Sequence, residues 1–195
     1  MKISDYIVPI IIKDDLNGTG FIVDNKLITA AHVVISKENI CHFIYNGREF
    51  LIGPDNNLLF EYPKDKKSQG QNNLYMDLAV YNLKNFDSLL KFEKPNMDIP
   101  CVYQGFSDST TKMDYYDNIK LDDKDWYYPF GGNGSIRINN TYISIGGKCK
   151  GGNSGGPLFQ GKYVVGLLVG NQQYQSFSLD RYIQSDYILE KFSKI

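Results

Sequence analysis

The chain has 195 residues, enough for one large domain or for two compact halves that share a core. Its formal net charge is −1, so electrostatics favours neither nucleic acid nor an anionic membrane as a partner. No apolar run approaches the ~18 residues of a membrane-spanning helix, and residues 1–6 carry no signal-peptide pattern.

The 18 glycines and 15 tyrosines, set among short apolar runs, point to strands and turns. Residues 7–12 are β-branched and apolar and read as a first strand, with residues 13–19 as a polar hairpin-like connection to the next run at 20–23. Asp24-Asn25 marks a tight turn before a strand at 26–29. Ala30-Ala31-His32 then leaves that strand. Residues 42–45 and 48–52 flank Asn46-Gly47, the clearest hairpin signal in the chain. His42 lies on this hairpin and reads as a partly exposed structural histidine. Residues 63–73 are polar and without period, a surface loop that delivers the chain into 74–83, which holds Asp77.

Residues 101–106 open a second half. Residues 107–130 mix acids (Asp114, Asp117, Asp122, Asp123, Asp125) with aromatics (Tyr115, Tyr116, Trp126, Tyr127, Tyr128, Phe130). They read as a strand pair with solvated acids; the other reading is an insertion beside a cleft that touches substrate or a partner. A turn at 131–134 precedes an expected hairpin of 135–138 with 141–145 around Asn139-Asn140. Residues 163–169 form a strongly apolar strand, and 177–179 a short one. Ile183, Tyr187, Ile188 and Phe192 have helical spacing. The expected organisation is a first half over 1–90, a connection over 91–100, a second half over 101–182 and a C-terminal helix over 183–195.

Three stretches carry chemistry. Gly151-Gly152-Asn153-Ser154-Gly155-Gly156-Pro157-Leu158 sets a serine among glycines, which allow positive φ and close backbone approach. Thr29-Ala30-Ala31-His32-Val33-Val34 places a histidine just after a strand. Met76-Asp77-Leu78-Ala79-Val80 places an acid at the head of another. With Gly18-Thr19-Gly20-Phe21-Ile22-Val23, these stretches in the order His32, Asp77, Ser154 resemble the chymotrypsin-like serine proteases, and among them the disulfide-poor bacterial and HtrA-like branch. The resemblance runs from about residue 7 to about residue 190.

That resemblance implies an all-β fold of two Greek-key six-stranded barrels, with the active site in the cleft between them and a short C-terminal helix. It implies a catalytic triad of Ser154 as nucleophile, His32 as its base and Asp77 as the group that orients the histidine. It also implies an oxyanion hole built from the N–H groups of Gly152 and Ser154. Asn153 stands where digestive members carry the Asp that pairs with a newly cut N-terminus, so the expected protein folds with its oxyanion hole already formed. Lys148, Val169, Gly170 and Asn171 are the expected substrate pocket. Either Lys148 or Lys150 could favour an acidic residue before the scissile bond, or both could turn to solvent.

The 3 cysteines, Cys41, Cys101 and Cys149, are an odd count and none precedes His32. They read as reduced, and the compartment as cytoplasmic. A secreted protein whose export signal lies outside this sequence is the alternative. The cysteines and histidines lack zinc spacing, so no metal or other cofactor is expected. The expected function is a serine endopeptidase acting on protein or peptide, with a restricted substrate, or a single dedicated partner protein. The alternative is a protease-fold binding module, a reading from a different class, or a partner-activated protease with a closed pocket.

Overall fold

The computed structural model describes residues 2–35, 38–62, 77–86, 88–108, 110–122, 126–130, 134–138, 140–173 and 176–195. The expected polar loop at 63–73, Asp123 and Asp125, and most of the expected turn at 131–134 lie outside these residues.

The first half contains β1 (Ile7–Ile12), β2 (Asp15–Val23), β3 (Lys26–Thr29), α1 (Ala31–Val34), β4 (Cys41–Tyr45), β5 (Arg48–Ile52), β6 (Asn57–Glu61) and β7 (Leu78–Asn82). Three of its connections are two-residue turns with both residues at positive φ. They are Lys13 and Asp14 (51° and 70°), Asp24 and Asn25 (47° and 59°), and Asn46 and Gly47 (50° and 71°). Such turns match the right-handed twist of the strands they join. The connection expected over 13–19 is therefore only two residues long, because Asp15 already pairs with Ile12 and a register shift between Ile10 and Ile11 absorbs the offset.

The strands form one sheet in the order β5-β4-β1-β2-β3-β7-β6. Its two edge strands, β5 and β6, follow each other in the chain, separated by the short 3-10 turn Pro54–Asn56. Pro54 has no N–H to give to a ladder. One long strand is thus broken at the proline, and its parts join opposite edges, which curls the sheet into a barrel. Seven strands stand where six were expected for this reason.

The second half contains β8 (Lys91–Phe92), β9 (Cys101–Gly105), β10 (Asp114–Ile119), β11 (Trp126–Phe130), β12 (Gly134–Ile138), β13 (Thr141–Ile145), β14 (Pro157–Gln160), β15 (Tyr163–Gln173), β16 (Ser178–Gln184) and α2 (Ser185–Phe192). Its main sheet runs β10-β9-β14-β15-β16-β13, and β8 adds a seventh strand in parallel with β15. Closure repeats the logic of the first half. After β10 the chain bends, and Asp122 exchanges two backbone hydrogen bonds with Ile143 of β13, at 2.8 and 3.0 Å.

The hairpin expected around Asn139-Asn140 does not form. Instead β12 pairs with β11, and β13 pairs with β16 along Thr141–Ile183 to Ile145–Leu179. Residues 141–144 are all buried, which requires a place inside the main sheet rather than on a detached ribbon. The C-terminal helix starts at Ser185, two residues later than expected, because Ile183 still pairs with Leu167 on β15.

The lack of polar alternation in residues 163–169 has a packing cause. Val164 and Leu167 face a core shared with the first barrel, while Val165 and Leu168 face the core of the second. A strand covered on both faces needs no polar side. α2 ties the halves together: Glu61 of β6 accepts the Tyr187 hydroxyl and pairs with Lys191, both at 2.6 Å, and Phe192 meets Phe92 edge-on. Tyr187 and Lys191 are one helical turn apart and share a face.

Cys41, Cys101 and Cys149 are free and buried. Burial pushes the Cys41 and Cys101 thiols up to about 11, and burial followed by the nearby Asp180 charge raises Cys149 further. At pH 8 a thiol near 11 is about 0.1% thiolate, the reactive form. An aromatic disulfide reagent is therefore expected to leave the native protein untouched over an hour and to titrate all 3 thiols once the chain is unfolded. A fast-reacting thiol in the native state would contradict this burial.

Candidate active site

β3 ends at Thr29, and the chain turns into the single helical turn α1, whose second residue is His32. Ala30 and Ala31 are fully buried there. Any larger side chain would have to displace core atoms. Asp77 precedes β7, the strand paired with β3, so sheet pairing brings two residues 45 positions apart into contact. Asp77 Oδ1 accepts the His32 backbone N–H at 2.8 Å, and Oδ2 lies 2.5 Å from Nδ1. An ionised carboxylate only accepts, so Nδ1 carries the proton and Nε2 is left as an acceptor. The Asp77 side chain is 9% exposed and that of His32 35%, which leaves the ring reachable from solvent.

Ser154 sits on a backbone clamp. Its carbonyl accepts the Thr19 N–H at 2.9 Å, and Gly155 N–H donates to Leu168 O at 2.7 Å. Its hydroxyl donates to the Val169 carbonyl at 3.1 Å. The preceding residues form a turn in which Asn153 N–H donates to Lys150 O at 3.1 Å, with Gly152 at φ +86°. A positive φ at the third residue marks a type II turn. Relative to type I, the peptide between Gly151 and Gly152 is flipped, so the Gly151 carbonyl and the Gly152 N–H exchange faces. Gly152 also permits the close approach of Ser107, since a Cβ there would lie 2.9 Å from the Ser107 Cα and carbonyl.

Three further side chains hold this site, none of them assigned a role from the sequence. Thr19, fully buried on β2, accepts the Phe106 N–H at 2.8 Å and donates to the Gly152 carbonyl at 3.1 Å, fastening the turn to the first barrel. Asp114, at the start of β10, accepts the Asn153 side-chain amide at 2.9 Å. Asp180 on β16 is 2% exposed and accepts the Lys148 N–H at 3.1 Å and the Asn171 amide at 2.7 Å. Only the Gly-Thr-Gly motif at 18–20 hinted at any of them.

The expected pocket residues converge in part. Val169 meets Ser154, while Asn171 and the Lys148 backbone meet Asp180. The Lys148 and Lys150 side chains are both exposed, and Lys150 lies 3.8 Å from Asp108. Gly170 has open space where a Cβ would project. His42 takes no part: its Nδ1 pairs with Glu49 across the β4–β5 hairpin at 2.6 Å. Among the described residues, no group of three His, Cys, Asp or Glu side chains could hold a metal ion.

Two curled antiparallel β-sheets followed by one short C-terminal helix, with a hydrogen-bonded His–Asp pair on the first sheet and a glycine-flanked serine on the second half, are consistent with a chymotrypsin-like serine protease fold. The family model described as Trypsin matches residues 2–189, and the chain belongs to that family. No curated protein sequence matches the chain. Among solved structures it is similar to the active form of the Rv3671c protease from M. tuberculosis (TM-score 0.69, 16% identity, covering 98% of this chain and 81% of that one). It is likewise similar to neuropsin, a serine protease expressed in the limbic system of mouse brain (TM-score 0.68, 16% identity, 97% and 93% covered). A third neighbour is the inactivated protease paralogue S-I1 of the scabies mite (TM-score 0.68, 14% identity, 98% and 95% covered).

Proposed function

We propose that the chain is an active serine endopeptidase that works through Ser154, His32 and Asp77. The observation that carries this reading is the pair of hydrogen bonds that His32 donates to Asp77, from its backbone N–H and from Nδ1, which fixes both the position of the ring and its tautomer. The Ser154 hydroxyl must swing from the Val169 carbonyl to His32 Nε2. That exchanges one neutral hydrogen bond for another, each worth about 1 kcal/mol.

In this reading Ser154 Oγ bonds to the scissile carbonyl carbon as its proton passes to His32 Nε2. The carbonyl oxygen becomes an oxyanion facing the Gly152 and Ser154 N–H groups. The C–N bond then breaks as His32 returns the proton to the leaving amine. Water repeats the sequence on the acyl-enzyme, with His32 again as base, and releases the acid.

Family membership implies protein or peptide substrates. The restricted substrate, or a single dedicated partner, is part of the proposal. The buried free cysteines support a reducing, cytoplasmic setting. A buried Asp180 carboxylate beneath the Lys148 backbone disfavours an acidic residue before the scissile bond, since like charges repel.

The test is intact-mass analysis after a fluorophosphonate probe, on wild type, Ser154→Ala and His32→Ala. One adduct on wild type and none on either variant is the expected result. A folded wild type that takes no adduct would favour the binding-module reading; the scabies mite neighbour is an inactivated protease paralogue of similar fold.

A further inference from the structure

Asn153 is fully buried, and each of its polar groups is engaged. Its N–H donates to Lys150 O, its Oδ1 accepts the Lys150 N–H at 2.8 Å, and its carbonyl accepts the Tyr103 hydroxyl at 2.5 Å. Its Nδ2 donates to Asp114 Oδ2 at 2.9 Å. The amide thus has a donor-only N–H on one side and an acceptor-only carboxylate on the other. Only one of its two orientations satisfies both. That orientation puts Oδ1 on the Lys150 N–H and closes the first residue of the type II turn against its last. Of the two partners of the side-chain amide, Asp114 is the one from outside the turn, 39 residues away on β10, whose first residue pairs with Gly105 beside the Phe106 and Ser107 backbone that abuts Gly152.

We infer that Asp114 is a positioning residue for the oxyanion turn. By fixing the Asn153 amide it holds the Lys150–Asn153 turn in its type II form and keeps the Gly152 N–H on the substrate side, so the hole is set by an internal carboxylate with no chain-end required. The inference rests on the reading of Ser154, His32 and Asp77 given above. The state of the carboxyl agrees with the role. Burial raises it, but hydrogen bonding from Ser107 and then Asn153, with the charges of Lys150 and Lys112, outweighs that and holds it below the ordinary carboxylate range.

The experiment exchanges the two polar groups on the full-length chain. Asn153→Asp alone sets two carboxylates face to face at the 2.9 Å contact. The double variant, Asp114→Asn with Asn153→Asp, restores a donor opposite an acceptor and leaves a carboxylate oxygen to accept the Lys150 N–H. Fluorophosphonate inactivation is followed for its saturating rate and its apparent Ki, alongside the melting temperature. Asn153→Asp is expected to lower the saturating rate about 10- to 100-fold, a fraction of what losing an oxyanion donor outright costs. Ki should stay within about threefold, and the double variant should recover most of the rate.

A rate unchanged in Asn153→Asp, a change confined to Ki or to melting temperature, or no recovery in the double variant would each overturn the positioning role while leaving the triad intact. Absence of labelling in wild type would instead overturn the triad reading, and this inference with it.

Discussion

Asp77→Asn is expected to lower the rate of Ser154 acylation about 10⁴-fold while leaving the fold intact, because the substitution inverts one hydrogen bond and keeps the other. Oδ1 of the asparagine would still accept the His32 backbone N–H, now made at 2.8 Å. The amide NH₂ would face Nδ1 in place of Oδ2. Two donors cannot share that contact, so Nδ1 must give up its proton and Nε2 must carry it. An Nε2–H cannot take the proton of Ser154. The loss should appear in the saturating rate of fluorophosphonate inactivation, with a melting temperature close to that of wild type. A rate within tenfold of wild type would show that the Asp77–His32 contact is not used in catalysis.

Gly155→Ala should be among the most damaging single methyls at the described glycines. Gly155 has φ +86°, and a Cβ there would lie 2.1 Å from the Thr19 carbonyl oxygen and 2.3 Å from Thr29 Oγ1. Those two oxygens are already hydrogen-bonded to each other at 2.7 Å, so neither can move without breaking the seam between β2 and β3. The left-handed backbone costs an L-residue about 1–2 kcal/mol. Overpacking of a filled site costs about 1–3 kcal/mol. Together they predict about 2–5 kcal/mol, a fall in melting temperature of roughly 5–20 °C for a chain of this size. Gly161→Ala supplies the control, since Gly161 also has positive φ (+59°) but nothing within 4 Å of a Cβ. It should lose only the backbone share, about 1–2 kcal/mol. Equal losses in the two variants, by calorimetry, would show that the contact with Thr19 and Thr29 is not what the structure makes it.

Local chemistry was legible residue by residue. Asn46-Gly47 and Asp24-Asn25 form the tight turns their composition demands, because positive φ is a property of those residues themselves. The apolar run of β15 and the C-terminal helix were legible for similar reasons: each follows from a spacing or a side-chain type within a few positions.

Where the outcome hung on which distant strand lay alongside, the sequence was silent or misleading. Asn139-Asn140 has hairpin composition, yet β13 finds its partner in β16, some 40 positions on, because its four consecutive buried residues need neighbours on both sides. Thr19 meets Gly152 across 133 positions, and Asp114 meets Asn153 across 39. The Gly-Thr-Gly motif marks Thr19 without naming its partner, and a carboxylate in a run of acids looks solvated until the group opposite it is known. The sequence by itself determined the turns and the apolar faces, since these depend on φ preferences and burial, and its resemblance to a family singled out His32, Asp77 and Ser154. The tertiary structure alone decided how Asp77 reaches His32, which carboxylate meets the turn before Ser154 and how each barrel closes, because a hydrogen bond needs its partner within about 3 Å and only strand pairing brings such partners together.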